Sequence, residues 1–396
     1  MRPVCDAPVK SIRLRITGWA ACWCAAILLV GCSHPNGLHD SWDRKAAASY
    51  LDQREAVWST WPAAARDHGT FCVSCHTALA YSLSRPTLRS ALAEQAPSIQ
   101  EIKLIENVRT RVRLWSDTDP YYNNMAGQSR GTEAVLNALI LASNDAASSG
   151  HLSADTRSAF DHLWATQQTA GDTTGAWRWI LFDNEPWEAS DSPYYGAALA
   201  AVAVGTAPDN YRSAPEIQNN IALLRNYLVQ NSAAQTPINR VNLLWASEKL
   251  PGLLDKQQQQ SIIAEILSAQ RADGGWCLSS LVGSWKREDG TPQVLKSDGY
   301  ATGFITYVLQ GAGMSSDDVH VKQGLSWLVQ NQSWWSGRWS AYSLNRRRHD
   351  PFSNVSQFMD DAATAYAVLA LTQAEGSENS GAAEHVTSEI SALGLK

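Results

Sequence analysis

The sequence is short of charge and of sulfur for its length. Of its 396 residues, only 18% are Asp, Glu, Lys or Arg, and the formal net charge is −6. This balance gives no electrostatic reason to expect a nucleic-acid partner, because such proteins usually carry a basic surface. Seven cysteines are too few for a disulfide-stapled mini-protein. The 44% of hydrophobic residues can form a sizeable core, which excludes an intrinsically disordered protein.

Several common signatures are also missing. After residue 31, no stretch approaches the roughly twenty apolar residues that a membrane-spanning helix needs. We find no phosphate-binding loop, no dinucleotide fingerprint and no nucleophile elbow. The chain has an unusual excess of tryptophan, since it contains 17 of these residues. Composition alone does not explain that excess.

The first 31 residues have the pattern of an export signal. Arg2, Lys10, Arg13 and Arg15 precede an apolar run over 16–31, which is a typical secretory signal. The run ends in Leu-Val-Gly followed by Cys32, which resembles the bacterial lipobox. That resemblance implies cleavage before Cys32 and lipidation of its sulfur, and Ser33 favours the outer membrane, facing the periplasm. An uncleaved membrane anchor is the alternative. We therefore predict a signal peptide over 1–31 and a tether over 32–48.

A haem-attachment motif follows the tether. Cys72, Cys75 and His76 form Cys-x-x-Cys-His, the pattern that binds c-type haem. Two thiols at this spacing can reach the two vinyl groups on one edge of a porphyrin, and the histidine is then the proximal iron ligand. We predict one covalent haem c in a segment over 49–126. A thiol redox pair and a zinc site are the alternatives, although no second Cys/His pair is present to complete a zinc site.

The distal haem ligand is harder to predict. Met125 lies in a polar, loop-like stretch, at a distance from His76 comparable to that in small cytochromes c, and is our candidate. Met314 and Met359 fall among helical repeats, where methionine usually fills space. His68 and a five-coordinate iron also remain open. A methionine ligand would suit electron transfer, whereas an open site would suit ligand binding.

The rest of the chain predicts helices and little else. Long apolar segments rich in helix-forming residues recur, and periodic strand alternation is hard to find. The predicted helices cover 133–142, 195–204, 217–229, 260–268, 300–309, 319–329 and 362–371. The fold class is therefore all-α, with a helical domain over 127–375 and a flexible tail over 376–396.

Internal repeats refine this prediction. Three predicted helices end in a glutamine that is followed by glycine and tryptophan. These are Gln168 with Trp177, Gln270 with Trp276, and Gln332 with Trp339. The motif resembles the QW repeat of the squalene–hopene cyclase and prenyltransferase superfamily. The resemblance covers about 127–375 and implies an α/α toroid, a double ring of inner and outer helices in which each tryptophan stabilises a joint.

The same resemblance raises the question of catalysis. Cyclases of that superfamily protonate an alkene with an Asp-x-Asp-Asp cluster. Asp360 and Asp361 match its second and third acids, but Phe358 occupies the first position. Asp298 precedes another helix at an equivalent repeat position, and aspartate there is also the usual helix-capping residue. The three aspartates are therefore candidate catalytic residues, with capping as the alternative.

Together these patterns predict an exported, lipid-anchored c-type haem protein with a toroidal helical body. Electron transfer with a periplasmic redox partner is the first hypothesis. The alternatives are a terpene-cyclase-like enzyme acting on an apolar polyprenoid, and a non-catalytic protein that binds a small apolar ligand and carries a structural haem.

Overall fold

The computed structural model describes residues 41–350 and 353–392, and side chains as far as 376. This part of the chain is all-α, as the sequence predicts, and contains no β-strand. All of it lies in one compact unit. Among the described residues, no helix has both the length and the apolar character that crossing a bilayer requires.

Twelve α-helices make up the described residues, joined by turns and short 3₁₀ segments. Their bounds are α1 Arg44–Thr60, α2 Ala78–Ala91, α3 Ile99–Arg113, α4 Ala126–Ser148, α5 Ala154–Thr166, α6 Ser192–Thr206, α7 Gln218–Asn231, α8 Pro237–Lys249, α9 Lys256–Ser268, α10 Gly299–Gly311, α11 Val319–Asn331 and α12 Phe358–Ala392. Each helix predicted from the sequence falls on one of them. The segment predicted as a flexible tail overlaps α12, which continues to Ala392.

Local capping explains where several helices begin. Ser98 accepts a hydrogen bond from the backbone N–H of Glu101, whose side chain in turn accepts from the N–H of Ser98, so a complete capping box starts α3. Asp255 forms the same arrangement with Gln258 at the start of α9. A side-chain oxygen at these positions satisfies N–H groups that have no partner inside the helix.

The even-numbered helices contact one another in a closed sequence. Helix α2 contacts α4, which contacts α6, and the series continues through α8, α10 and α12 back to α2. Helices α6 and α10 are buried over nearly their whole length, as expected of helices that are apolar all round, and α4 is buried over most of 129–142. Most odd-numbered helices pack on this series and present a buried stripe with a polar outer side, as in α7, α9 and α11. The segment that contains Cys72, Cys75 and His76 leads directly into α2, the first helix of this series.

Glutamine side chains connect successive odd-numbered helices. The Nε2 group of Gln270 donates to the carbonyls of Gly274 at 2.8 Å and of His320, in the first turn of α11, at 2.9 Å. Gln332 likewise donates to the carbonyls of Gly337 and of Asp43, which caps α1. Each glutamine therefore ties the end of one helix to the start of another.

The first repeat uses a neighbouring glutamine. The side chain that makes these contacts is Gln167, which donates at 3.1 Å to the carbonyls of Gly175 and of Asn220 in α7. Gln168, which the motif singles out, contributes its backbone to the same turn, while its side chain makes only one long hydrogen bond, at 3.5 Å. The two adjacent glutamines make the sequence alignment ambiguous by one residue.

The three motif tryptophans are completely buried. Each indole N–H donates to a carbonyl of the preceding odd-numbered helix, at 2.7–2.8 Å. The acceptors are Leu163 for Trp177, Ile266 for Trp276 and Leu328 for Trp339. Burial of so large an apolar ring together with a satisfied N–H is a strong packing anchor. These contacts explain part of the tryptophan excess as structure.

We predict that Gln167→Ala destabilises the protein, while Gln168→Ala serves as its matched control. The first change removes the donor that bridges the carbonyl of Gly175, in the turn after α5, and the carbonyl of Asn220 in α7, which costs about 1–3 kcal/mol of unfolding free energy. The second removes one long hydrogen bond and should change that energy by less than about 0.5 kcal/mol. Urea unfolding followed by circular dichroism measures both, and equal losses would contradict the assignment of Gln167.

Candidate functional site

The haem-motif residues line a cavity of about 330 Å³. Its walls come from the end of α1, the segment before α2, the loops before α4 and α6, and the first turn of α12. Aromatic side chains dominate the lining. They are Trp58, Trp61, Tyr121, Tyr122, Trp179, Phe182, Trp187 and Phe358. Cys72, Cys75 and His76 all contribute to it, so the structure brings the three motif residues to one cavity.

Hydrogen bonds hold the motif segment in place. Asn107 in α3 exchanges two hydrogen bonds with the backbone of Phe71, at 2.8 and 3.0 Å. The indole N–H of Trp58 donates to the carbonyl of Cys72 at 2.8 Å. Inside the motif, the Ser74 hydroxyl accepts from the N–H groups of Thr77 and Ala78, at 3.2 and 3.1 Å. This contact starts α2 directly after the motif and fixes the direction in which the helix leaves the cavity.

Both motif thiols are free and buried. Burial raises the pKa of Cys72 to about 11, although Arg66 and Arg111 partly oppose the increase. Burial also raises the pKa of Cys75 well above its usual value, and the carboxyl of Glu188 adds to the effect. Reactive redox cysteines have lowered pKa values, because the thiolate is the nucleophile. The surroundings of Cys72 and Cys75 therefore do not favour thiol–disulfide chemistry.

Aromatic rings enclose the imidazole of His76. The ring stacks on Phe358, with centroids 3.9 Å apart and an angle of 14° between the planes, and meets Trp58 edge-on at 4.9 Å. Burial, with a smaller effect of Arg54, lowers the pKa of His76 to about 3. The imidazole is therefore neutral at pH 7, which is the form that binds a metal.

A chain of hydrogen bonds fixes the orientation of His76. Its Nδ1 lies 2.8 Å from the Thr77 hydroxyl, which donates to the Asp361 carboxylate at 2.7 Å. Because that hydroxyl has only one proton to give, Nδ1 must carry the other and donate to the threonine oxygen. Nε2 then keeps its lone pair, and the described residues provide it with no hydrogen-bond partner. Hydrogen bonds of this kind to the other ring nitrogen orient metal-binding histidines.

Asp361 is the centre of this chain. The guanidinium of Arg54 binds both of its carboxylate oxygens, at 2.6 and 3.0 Å, and the Tyr50 hydroxyl donates at 2.9 Å. Burial raises the pKa of Asp361, while Arg54 and the hydroxyl donors oppose that increase. The carboxylate thus has four hydrogen bonds, from α1 and from Thr77, and does not line the cavity.

The other two candidate catalytic acids accept hydrogen bonds from backbone N–H groups. Asp298 caps α10 by accepting from the N–H of Ala301 at 2.9 Å, and its second oxygen accepts from Leu278 at 2.7 Å. Asp360 accepts from Ala341 at 2.8 Å and pairs with Arg338 at 3.2 Å. Burial raises the pKa of Asp298 to about 7 and of Asp360 to about 6.

These contacts are equivalent in the two repeats. In each, the aspartate accepts from the second residue after the motif tryptophan, Trp276 or Trp339. The structure therefore gives Asp298 and Asp360 a role in joining a repeat turn to the next helix. Neither residue lines the haem-motif cavity.

The methionines occupy different environments. Met125 closes a short 3₁₀ turn before α4 and is half-buried against the core, but it is not among the residues that line the cavity. Met359 is buried and does line the cavity, beside Phe358. Its place at the start of an even-numbered helix was the signal in the sequence, because Cys75 and His76 also immediately precede such a helix.

Two carboxylates in the cavity were missed by the sequence reasoning. Glu185 and Glu188 lie in the loop before α6, which contains the cis peptide bond between Glu185 and Pro186. Burial raises the pKa of each to about 7. In the sequence, the cluster of aromatic residues around this loop was the available sign that the loop lines a cavity. The described residues contain no group of three or more His, Cys, Asp or Glu side chains arranged to hold a metal ion.

Cys32 and the predicted signal peptide lie outside the described residues. Lipidation of Cys32 and export therefore stay predictions from the sequence.

We predict that Glu188→Gln flattens the pH dependence of stability. A folded-state pKa near 7, above the usual 4.5, means that the unfolded chain releases this proton first as the pH rises. In the wild type, the stabilisation that protonated Glu188 contributes is complete below about pH 4.5 and is lost as the pH rises towards 7. The variant lacks this titrating group, so its free energy of unfolding should fall less over that range. Urea unfolding at pH 5 and pH 8 measures this difference. Glu106→Gln is the control, because the Glu106 carboxylate is 55% exposed, and an equal flattening in both variants would contradict the prediction.

No protein-family model matches the chain, and the search of curated proteins finds no relative.

Proposed function

We propose that the protein is an exported, lipid-anchored c-type haem protein that transfers electrons in the cell envelope. The observation that carries this proposal is the meeting of Cys72, Cys75 and His76 at one aromatic cavity. A thiol pair alone would need no oriented histidine beside it. Here the imidazole is neutral, its Nδ1 proton has an acceptor, and its Nε2 is left for a metal.

The residues present fit a haem. Cys72 and Cys75 would hold it through thioether bonds, and His76 would be the proximal ligand. When bound, haem c supplies a one-electron redox centre. The chain contributes an apolar, aromatic surrounding and the Thr77–Asp361 contacts that orient His76. Aromatic walls exclude water and stack well against a flat macrocycle.

We infer that the helical body is an α/α toroid with the haem segment built into it. The closed sequence of contacts from α2 to α12 supports an inner ring of six helices. The glutamine and tryptophan joints support an outer ring, since they connect the ends of odd-numbered helices to the next ones. In this arrangement the cavity lies where the inner-ring helices α2, α4, α6 and α12 begin.

A cyclase-like activity has less support. Such chemistry needs a protonated carboxylic acid that faces an apolar substrate cavity. Asp361 instead accepts four hydrogen bonds, and the carboxylates of Asp298 and Asp360 accept hydrogen bonds from backbone N–H groups. A periplasmic redox partner therefore fits the site better than a polyprenoid substrate. A small apolar ligand in the aromatic cavity is the remaining alternative partner.

We predict that Cys72→Ala and Cys75→Ala each prevent normal two-thioether attachment. Protein expressed in a periplasm with haem-attachment machinery should stain for covalent haem after denaturing electrophoresis. The single variants should give a shifted alkaline pyridine spectrum, and the double variant no stain. Cys277→Ala is the matched control, since this buried thiol lies outside the cavity. A wild-type protein without covalent haem would overturn the proposal.

We further predict that Met359→Ala, more than Met125→Ala, changes the haem spectrum. Only Met359 of these two residues lines the cavity, so its thioether is the nearer candidate for the distal position. Loss of the ligand should abolish the sulfur-to-iron charge-transfer band of the ferric protein and lower the reduction potential. Met314→Ala is the control. Loss of the band in Met125→Ala alone would support the sequence prediction instead, and no band in the wild type would indicate an iron without methionine.

A further inference from the structure

Two adjacent tryptophans are exposed in the turn that follows α11. The side chain of Trp334 is 87% exposed and that of Trp335 is 67% exposed, whereas the motif tryptophan Trp339, a few residues later, is fully buried. No packing role explains a pair of large apolar rings in water. Tryptophan is enriched where proteins meet the membrane–water interface, because its ring is apolar and its N–H remains solvated.

The turn that carries these tryptophans is fixed to the start of α1. Gln332 exchanges hydrogen bonds with the backbone of Asp43, at 2.7 and 2.9 Å. Gly337 has a φ of 73°, and a Cβ atom there would lie 2.3 Å from the backbone of Ala46. The backbone of α1 therefore packs directly against the turn. Trp334 and residues 41–45 line one shallow depression on the surface.

The predicted lipid anchor precedes this surface closely in the sequence. Ser41 is nine positions after Cys32, and a fully extended chain spans at most about 3.6 Å per position, or roughly 32 Å in total. A body anchored through Cys32 therefore keeps the start of α1, and Trp334 beside it, within that distance of the bilayer. The exposed tryptophans therefore lie beside the first described residues that follow the predicted anchor in the chain.

The charges near the tryptophans are compatible with phospholipid headgroups. Lys45 is exposed, and the guanidinium of Arg338 lies 5.4 Å from the Trp335 ring centroid. Arg44 is partly exposed and pairs with Glu375 at 2.7 Å. The nearby acids already have partners in the body, since Asp43 caps α1, Glu375 pairs with Arg44 and Asp360 pairs with Arg338. Lys45 is therefore the exposed cation that is left to attract anionic lipids beside the tryptophans.

We propose that residues 41–45 with Trp334 and Trp335 form a membrane-contact surface that rests on the phospholipid headgroups around the anchor. The proposal depends on the lipid anchor of the proposed function, but not on haem. The acyl chains supply the affinity for the bilayer. The tryptophans add a second point of contact, which would restrict how the helical body is oriented relative to the membrane.

The test uses the full-length lipidated protein in vesicles of phosphatidylethanolamine and phosphatidylglycerol. A nitroxide label is attached to a Trp334→Cys variant, since the native thiols of Cys72, Cys75 and Cys277 are buried. Power saturation compares the access of oxygen, which partitions into lipid, with that of a water-soluble nickel chelate. We expect the oxygen-to-nickel ratio at position 334 to rise severalfold on reconstitution, compared with the same protein in detergent-free solution after enzymatic removal of the anchor peptide.

Val319→Cys is the matched control. Val319 is 58% exposed and lies at the other end of α11, about 18 Å from Asn331 along the helix axis. Its label should stay in water in both samples. Adding Trp335→Ser to the Trp334→Cys variant should reduce the rise at position 334, because neither of the two exposed rings then remains.

Three results would overturn the proposal. Equal oxygen-to-nickel ratios at positions 334 and 319 in vesicles would show that the surface stays in water. Dipolar broadening that grows with the protein-to-lipid ratio, without a rise in oxygen access, would indicate a second copy of the chain as the partner. Mass spectrometry of the N-terminal peptide serves as a separate control: an unmodified Cys32 would refute the anchor of the proposed function and this surface with it, whereas a lipidated Cys32 with a solvated label would refute the surface alone.

Discussion

The buried pair between Arg54 and Asp361 is the interaction on which the site depends. It joins α1 to α12, and through Thr77 it reaches the imidazole of His76. Removing one partner of such a pair typically costs 3–5 kcal/mol, because the other charge stays buried without compensation. The pair therefore couples the stability of the body to the geometry of the motif. A histidine held in this way keeps one tautomer and one direction.

The repeat joints provide the frame around this pair. Gln332 ties the end of α11 to Asp43, so the last repeat is connected to α1 rather than to another repeat unit. Helix α1 in turn carries Arg54, Tyr50 and Trp58 to the cavity. The N-terminal segment is consequently part of the helical body, and its contacts close the sequence of helices.

The sequence predicted the helices and the motif well, because both depend on local patterns. Apolar periodicity located α4, α6, α10 and α12, and spacing alone identified Cys72, Cys75 and His76. What it could not predict depends on contacts between distant residues. Glu188 and Met359 reach the cavity only because the loop before α6 and the start of α12 converge on α2. The choice of Gln167 over Gln168 depends on which side chain faces α7, and a one-residue ambiguity of this kind is resolved by geometry.

The paired aspartates show how one motif can serve two purposes in a helical repeat. Asp360 repeats the structural contact of Asp298, accepting from a backbone N–H two residues after a buried tryptophan. Asp361 has no such counterpart, since Gly299 occupies the equivalent place after Asp298. An acid that departs from the repeat needs its own explanation, and its contacts with Arg54, Tyr50 and Thr77 provide one. In the haem proposal, Asp361 is a positioning residue for His76, and the departure from the repeat occurs where the haem segment meets the helical body.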